Sequence, residues 1–184
     1  MKPLGKSALF LDRDGVINVN HGYVHKIEHF DFLPGIFELV KFACQNNIVV
    51  FVVTNQAGIG RGYYSEEEFL CLSSWMCEQF GKNGGAIEKV YFSPYHPMFG
   101  IGKYKKNDVS RKPSPGMIFA AQEEYNINLS KSILVGDSVT DVQAGLAAGV
   151  GKNVLLSDQI SKEYFSLSSL FEVKNYMQKS LDLS

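Results

Sequence analysis

Asp12 and Asp14 stand one residue apart at the end of the apolar run Ala8-Leu9-Phe10-Leu11, with Gly15 directly after them. In an extended chain, side chains repeat every second residue, so the two carboxylates face the same way. Like charges at the exit of a buried strand are costly unless a cation neutralises them, and a cation held there could also bind a phosphate. A solvated Asp-x-Asp-Gly turn is the plainer explanation of these residues taken alone. The other polar residues decide between the two. Thr54 and Asn55 close a second apolar run, Asp137 closes another ahead of Ser138 and Asp141, and Arg111 and Lys112 precede a helix start. An aspartate that attacks a phosphate ester meets anion–anion repulsion. The remedy is a divalent cation, with a lysine and hydrogen-bond donors on the equatorial oxygens and a second acid for the departing alkoxide. Each part has a candidate.

Positioning these groups is a matter of alternating strands and helices. Strands are expected at Ser7–Leu11, Ile48–Val53, Ile87–Phe92, Ser132–Val135 and Asn153–Leu156; the second is β-branched and apolar throughout, as a strand covered on both faces reads. Between them, Pro34 opens a helix through Ile36, Leu39, Val40 and Ala43, with the proline suited to the first turn. Ser65 and Glu68 form a capping box for a helix that buries Phe69, Leu72, Met76 and Phe80. Ser114-Pro115 caps a helix with Ile118, Ala121, Gln122 and Tyr125 on one side, and Val142–Ala148 is a small-residue helix. Residues 15–33 read as an ordered flap, 93–113 as an irregular insert, and 157–184 as a C-terminal helix and tail. The alternation predicts right-handed crossovers and a mostly parallel central sheet with helices on both faces. Ligands of such sheets bind outside the carboxyl ends of the strands, where the polar residues named above converge.

The bulk composition excludes other classes. The 184 residues are 45% hydrophobic and 20% charged, as in a soluble globular chain of one domain, with no linker to divide it. A net charge of -1 argues against a nucleic-acid partner or an acidic membrane surface. The first apolar run is broken by Asp12, too early for a signal segment after Lys2 and Lys6, and no stretch has the length of a membrane span. Cys44, Cys71 and Cys77 have no paired spacing and read as reduced thiols of a cytoplasmic protein. His21, His25 and His29 recur every fourth residue, but Gly22 and Tyr23-Val24 oppose the helix a metal site would need. Gly58, Gly60 and Gly62 lack the spacing of a dinucleotide-binding loop.

Asp12-Arg13-Asp14-Gly15 resembles the first motif of the haloacid dehalogenase superfamily, Thr54 the second, Lys112 the third, and Gly136-Asp137-Ser138-x-x-Asp141 the fourth. The stretches 12–18, 20–24, 53–62 and 111–117 are similar to its heptose-bisphosphate phosphatase branch, which also contains histidinol-phosphate phosphatases. The likeness runs from about residue 7 to residue 155. It implies a Rossmann-like fold without a separate cap domain. It also implies a Mg²⁺-dependent phosphatase that removes the 7-phosphate of D-glycero-D-manno-heptose 1,7-bisphosphate, in the supply of nucleotide-activated heptose for bacterial surface polysaccharide; a monomer is expected.

By the same resemblance Asp12 is the nucleophile and Asp14 the general acid and base. Mg²⁺ is held by Asp12, Asp137 and the backbone carbonyl of Asp14, while Thr54 and Lys112 stabilise the phosphoryl group. Arg111 suits the distal phosphate; Asn20, His21, Gly22, Tyr23, Asn55, Gln56 and Ala57 form the substrate loops, with Ser138 beside the site. Many relatives carry a structural zinc in the insert. Here the corresponding positions read Ser93-Pro94-Tyr95 and Asp108-Val109-Ser110, so no thiolate remains and no zinc is expected. Either packing of Tyr95, Pro97, Phe99 and Tyr104 then orders the insert, or it stays mobile until substrate binds. Histidinol phosphate or another small monoester is the alternative substrate. A phospho-aspartate signalling domain or an inactive binding domain is the alternative of another class, and it has no use for an acid at position 14.

Overall fold

The computed structural model describes residues 5–159 and 161–182; Lys2 and the end of the expected tail lie outside them. The first four strands lie close to where the hydrophobic runs place them: β1 (Ala8–Leu11), β2 (Val49–Asn55), β3 (Lys89–Ser93) and β4 (Ile133–Gly136). β5 (Lys152–Leu156) follows, and a two-residue β6 (Ser166–Leu167) adds a sixth strand that the sequence does not announce. All pair in parallel, in the order β3-β2-β1-β4-β5-β6. Chain direction of travel across the sheet therefore reverses between β1 and β4, and in doubly wound sheets that reversal opens a crevice at the carboxyl edge.

Alternation along β1 explains the two layers. Leu9 and Leu11 face a core built with α1 (Ile36–Gln45), the helix Glu66–Lys82 and the helix Leu170–Asp182. Ala8 and Phe10 face the opposite core, built with the helices Gly116–Tyr125 and Val139–Ala148. Each such fully buried Leu or Phe is worth about 1.5–3 kcal/mol relative to exposure. Counting a single turn at Ala57–Gly60 as α2, these helices are α3 (66–82), α4 (116–125), α5 (139–148) and α6 (170–182).

Several boundaries differ from expectation for local reasons. Pro34 lies outside α1, because Gly35 takes a positive φ of 87° and is itself the N-cap. Pro115, rather than Ser114, is the N-cap of α4 and no side chain caps it; Gln122 is exposed and Met117 takes its place inside. β2 runs on through Thr54 and Asn55, which are therefore strand residues paired with Phe92 and Ser93. The Ser65/Glu68 capping box forms as expected. Cys44, Cys71 and Cys77 are free.

Candidate active site

Three loops at the carboxyl edge bring the chemistry together. The chain leaves β1 at Leu11, and the Asp12 backbone N–H still donates to Val135 O of β4 at 3.0 Å. Gly15 then turns with φ 88°, and a side chain there would stand 2.0 Å from Asp137 Oδ2. Only glycine lets the first loop approach Asp137 this closely. Gly136 has a similar constraint, since an added Cβ would meet the Asp141 side chain at 2.1 Å. The result is a group of acids, Asp12, Asp137 and Asp141, whose nearest carboxylate oxygens lie within 4.8 Å of one another.

Lys112 is the cation that makes this group tolerable without metal. Its buried ammonium lies 2.8 Å from Asp12 Oδ1 and 2.5 Å from Asp141 Oδ1, and donates to Val53 O at 2.7 Å. Burial by itself would weaken its hold on the proton; the two carboxylates outweigh that and raise it. Asp12 is pushed up to about 7, by burial first, with Lys112 opposing and Asp141 adding to the rise. Asp137 rises to about 6, again by burial first and then by Asp141. One cation thus leaves the cluster short of positive charge.

The residues fit a hard divalent ion such as Mg²⁺, which takes carboxylate oxygens. Asp141 is already provided for: its carboxylate accepts from the Ser138 backbone N–H at 3.0 Å and the Ser138 hydroxyl at 2.7 Å, besides Lys112. Asp12 Oδ1 is buried with no aligned hydrogen-bond donor. Asp12 and Asp137 are therefore the acids left to hold the ion, and Asp141 is the one that anchors Lys112.

Asp14 is turned to a different set of partners. Both of its oxygens accept from Arg13 Nη2, at 2.9 and 2.8 Å; Asn18 Nδ2 adds a bond at 3.0 Å and Gln56 Nε2 another at 3.1 Å. Arg13 is 1% exposed, and its Nη2 also donates to Val24 O of the flap. The Asp14 carboxylate thus takes no part in the acid group, which is compatible with a metal contact through its backbone only.

A cleft of about 270 Å³ opens onto these groups. Asp12, Asp14, Thr54, Asp137 and Arg111 line it, as do Asn20, Gly22, Tyr23, Asn55, Gln56 and Ala57. Some of these expected substrate contacts have structural duties. The Asn55 amide is spent on the Lys112 backbone, accepting from its N–H at 3.0 Å and donating to its carbonyl at 3.1 Å. Gln56 donates to Thr54 Oγ1 at 2.9 Å as well as to Asp14. His21 is not in the cleft; it is exposed and pairs with Asp31 at 2.8 Å. Ser138 sits at the N-cap of α5, and the buried Lys112 reaches the site through its ammonium, 2.8 Å from the cleft-lining Asp12.

Tyr64 lines the cleft without any sequence signal to mark it. Its hydroxyl donates to Gln56 Oε1 at 2.6 Å, its ring stacks on His25, and burial pushes its own proton affinity up to about 12. The residue acts on Asp14 through Gln56. Arg13 had a signal, as the cation between two acids, but its service to Asp14 depends on the flap folding back over it.

A carboxyl edge so equipped, on a sheet of this order, is what haloacid dehalogenase-like phosphatases share. The HAD-hydrolase-like family model matches residues 109–164, a span holding Arg111, Lys112, Asp137 and Asp141. Over 152 residues the chain is 56% identical to the D-glycero-alpha-D-manno-heptose-1,7-bisphosphate 7-phosphatase of Burkholderia mallei, covering 83% of this chain and 80% of that protein. It is 45% identical to the corresponding beta-anomer phosphatase of Vibrio cholerae, covering 83% and 82%. Among solved structures, the D,D-heptose 1,7-bisphosphate phosphatase of B. bronchiseptica, complexed with magnesium and phosphate, superimposes with a TM-score of 0.79 at 25% identity, over 95% of this chain and 99% of that one. The chain belongs to the haloacid dehalogenase-like phosphatases and, within them, to the heptose-1,7-bisphosphate 7-phosphatase family.

Proposed function

We propose that this protein hydrolyses the 7-phosphate of D-glycero-D-manno-heptose 1,7-bisphosphate, through a phosphorylated Asp12. The observation that carries this reading is one cleft lined by Asp12, Asp14 and Asp137 and by Arg111 as well, so that a reacting phosphate and a second anionic group fit one substrate. Asp12 attacks phosphorus, and the bond to the sugar oxygen breaks. Asp14 gives that oxygen its proton, then takes one from the water that cleaves the aspartyl-phosphate, since one residue must serve both half-reactions. Lys112 and Thr54 offset charge on the equatorial oxygens. Asp12, Asp137 and the Asp14 carbonyl would hold Mg²⁺, which would supply positive charge to offset that of the nucleophile and the phosphate. In the proposed setting the enzyme is a cytoplasmic, single-domain monomer serving nucleotide-activated heptose supply; among the described residues no helix is long and apolar enough to cross a membrane.

Phosphate release should be measured on both heptose bisphosphate anomers, histidinol phosphate and unrelated monoesters. A second charged anchor is worth roughly tenfold to a hundredfold, so kcat/KM for the better heptose anomer is expected to exceed that for histidinol phosphate by about that factor. Equal rates on all monoesters would overturn the heptose reading and leave the reaction class standing.

The proposed metal is Mg²⁺ alone. At the positions where relatives carry zinc ligands, the Ser110 hydroxyl donates to Ser93 Oγ at 3.0 Å and lies 2.7 Å from Asp108 Oδ1. His96 Nδ1 accepts from the Met98 and Phe99 backbone N–H groups at 3.2 and 3.1 Å. Tyr104 donates to Glu66 of α3 and packs near Tyr95. These contacts supply the order that a zinc knuckle provides elsewhere. Elemental analysis of the purified protein is expected to find no stoichiometric zinc. Saturating Mg²⁺ should raise the thermal midpoint by about 5 °C or more, reversed by EDTA; tightly held zinc, or no response to Mg²⁺, would contradict this.

A further inference from the structure

Arg111 lines the cleft, Arg61 is near enough for its charge to act on Arg111, and among the described residues no carboxylate pairs with either. Arg111 is held by the Tyr95 carbonyl, which accepts from its Nη1 at 3.0 Å. Arg61 follows the single turn α2, and its Cζ lies 5.7 Å from the Tyr23 ring centroid and 4.6 Å from that of Phe99. Tyr23 belongs to the substrate loop and lines the cleft, whereas Phe99 belongs to the insert. Arg61 Nε is buried and has no hydrogen-bond partner. Among the described residues, neither Arg61 nor Arg111 forms an ion pair.

Such an arrangement is costly as it stands. Arg111 is lowered from its ordinary value by burial and then by the Arg61 charge, and His96 by burial, Arg111 and Arg61. An unpaired buried donor and a pair of like charges are both unfavourable unless an anion joins them. A guanidinium suits the task, because its faces can stack on aromatic rings while its N–H groups remain for oxygens. The stack is also tied down from below: the Ile101 N–H donates to Gly60 O at 2.8 Å, joining the insert to the residue just before Arg61. Tyr23 is braced by an edge contact with Tyr63, centroids 4.8 Å apart.

We propose that Arg61, set against the rings of Tyr23 and Phe99, is the second cation of the distal-phosphate subsite and closes with Arg111 on the phosphate that is not cleaved. This rests on the bisphosphate reading above and adds to it a residue that the resemblance did not assign. It also gives the insert a part in recognition, because Phe99 covers one face of the cation that meets the phosphate.

The test is a selectivity ratio: kcat/KM for heptose 1,7-bisphosphate divided by kcat/KM for heptose 7-phosphate, which lacks the distal group. Arg61→Gln is expected to lower this ratio by about tenfold or more, mainly through KM for the bisphosphate, and Arg61→Lys to recover part of it by restoring charge. A purely structural stack would impair both substrates alike and leave the ratio where it was in both variants, which overturns the inference. Because the ratio is internal to each variant, a partly misfolded preparation does not mimic the effect. The wild-type ratio judges the earlier reading separately. If the wild type does not favour the bisphosphate, that reading falls and takes this one with it; if it does and Arg61→Gln preserves the preference, only the present inference falls.

Discussion

Asp12→Asn is expected to reduce turnover by on the order of 10⁴-fold or more, equivalent to roughly 5 kcal/mol of transition-state stabilisation. The amide is nearly isosteric but a poor nucleophile, and it cannot form the phosphorylated intermediate. The fold should not suffer. Asp12 lies in a group of acids where burial and Asp141 already resist its ionisation, so removing the charge relieves repulsion as well as losing the pairing with Lys112. The metal-free thermal midpoint is therefore expected to stay near that of the wild type, and Mg²⁺ is expected to raise it less, because one of the two carboxylates proposed to hold it is gone. Steady-state phosphate release and a thermal melt with and without Mg²⁺ check both parts. Substantial residual turnover would mean that the nucleophile lies elsewhere.

Lys112→Met has the other large effect, and here stability and activity separate. The ammonium is buried between Asp12 and Asp141, and nothing else among the described residues neutralises that pair. Breaking a buried ion pair by removing one partner costs about 3–5 kcal/mol, since the remaining charges are left uncompensated. Urea denaturation without metal should show a loss of that order. Mg²⁺ brings positive charge to the same acids and is expected to restore much of the stability. It should not restore the rate, expected to fall by about 10³-fold, because the donor proposed for the equatorial phosphoryl oxygens is missing. Recovery of both by Mg²⁺ would make Lys112 a structural counterion only.

Both effects draw on the same design, in which three acids are held near one lysine with room for one more cation. Asp141 is the hinge of that design. Fixed by Ser138 at the start of α5, it holds Lys112, which in turn reaches Asp12. The chain of contacts crosses three loops and ties the N-cap of a helix to the acid that follows β1, the proposed nucleophile.

Much of this was legible in the order of residues. Apolar runs such as Ile48–Val53 mark strands because burial on both faces leaves no place for polar side chains. Asp12, Thr54 and Asp137 mark the edge because each ends such a run, and parallel topology sends every run's end to the same side. The capping box at Ser65 was readable because its partners are three residues apart. What stayed hidden is whatever depends on neighbours far along the chain. β6 is two residues long and exists only because Leu155 and Leu156 offer it partners. The commitment of Asn55 to Lys112, the relay from Tyr64 through Gln56 to Asp14, and the contact of Arg61 with the rings of Tyr23 and Phe99 join residues from separate loops. Residue type and spacing determined which chemistry this protein carries, since those follow from local pattern and strand ends. Which side chains share a hydrogen bond, and which remain free for substrate, was decided only when the loops were packed against one another, because each donor can serve few acceptors and distance alone selects among them.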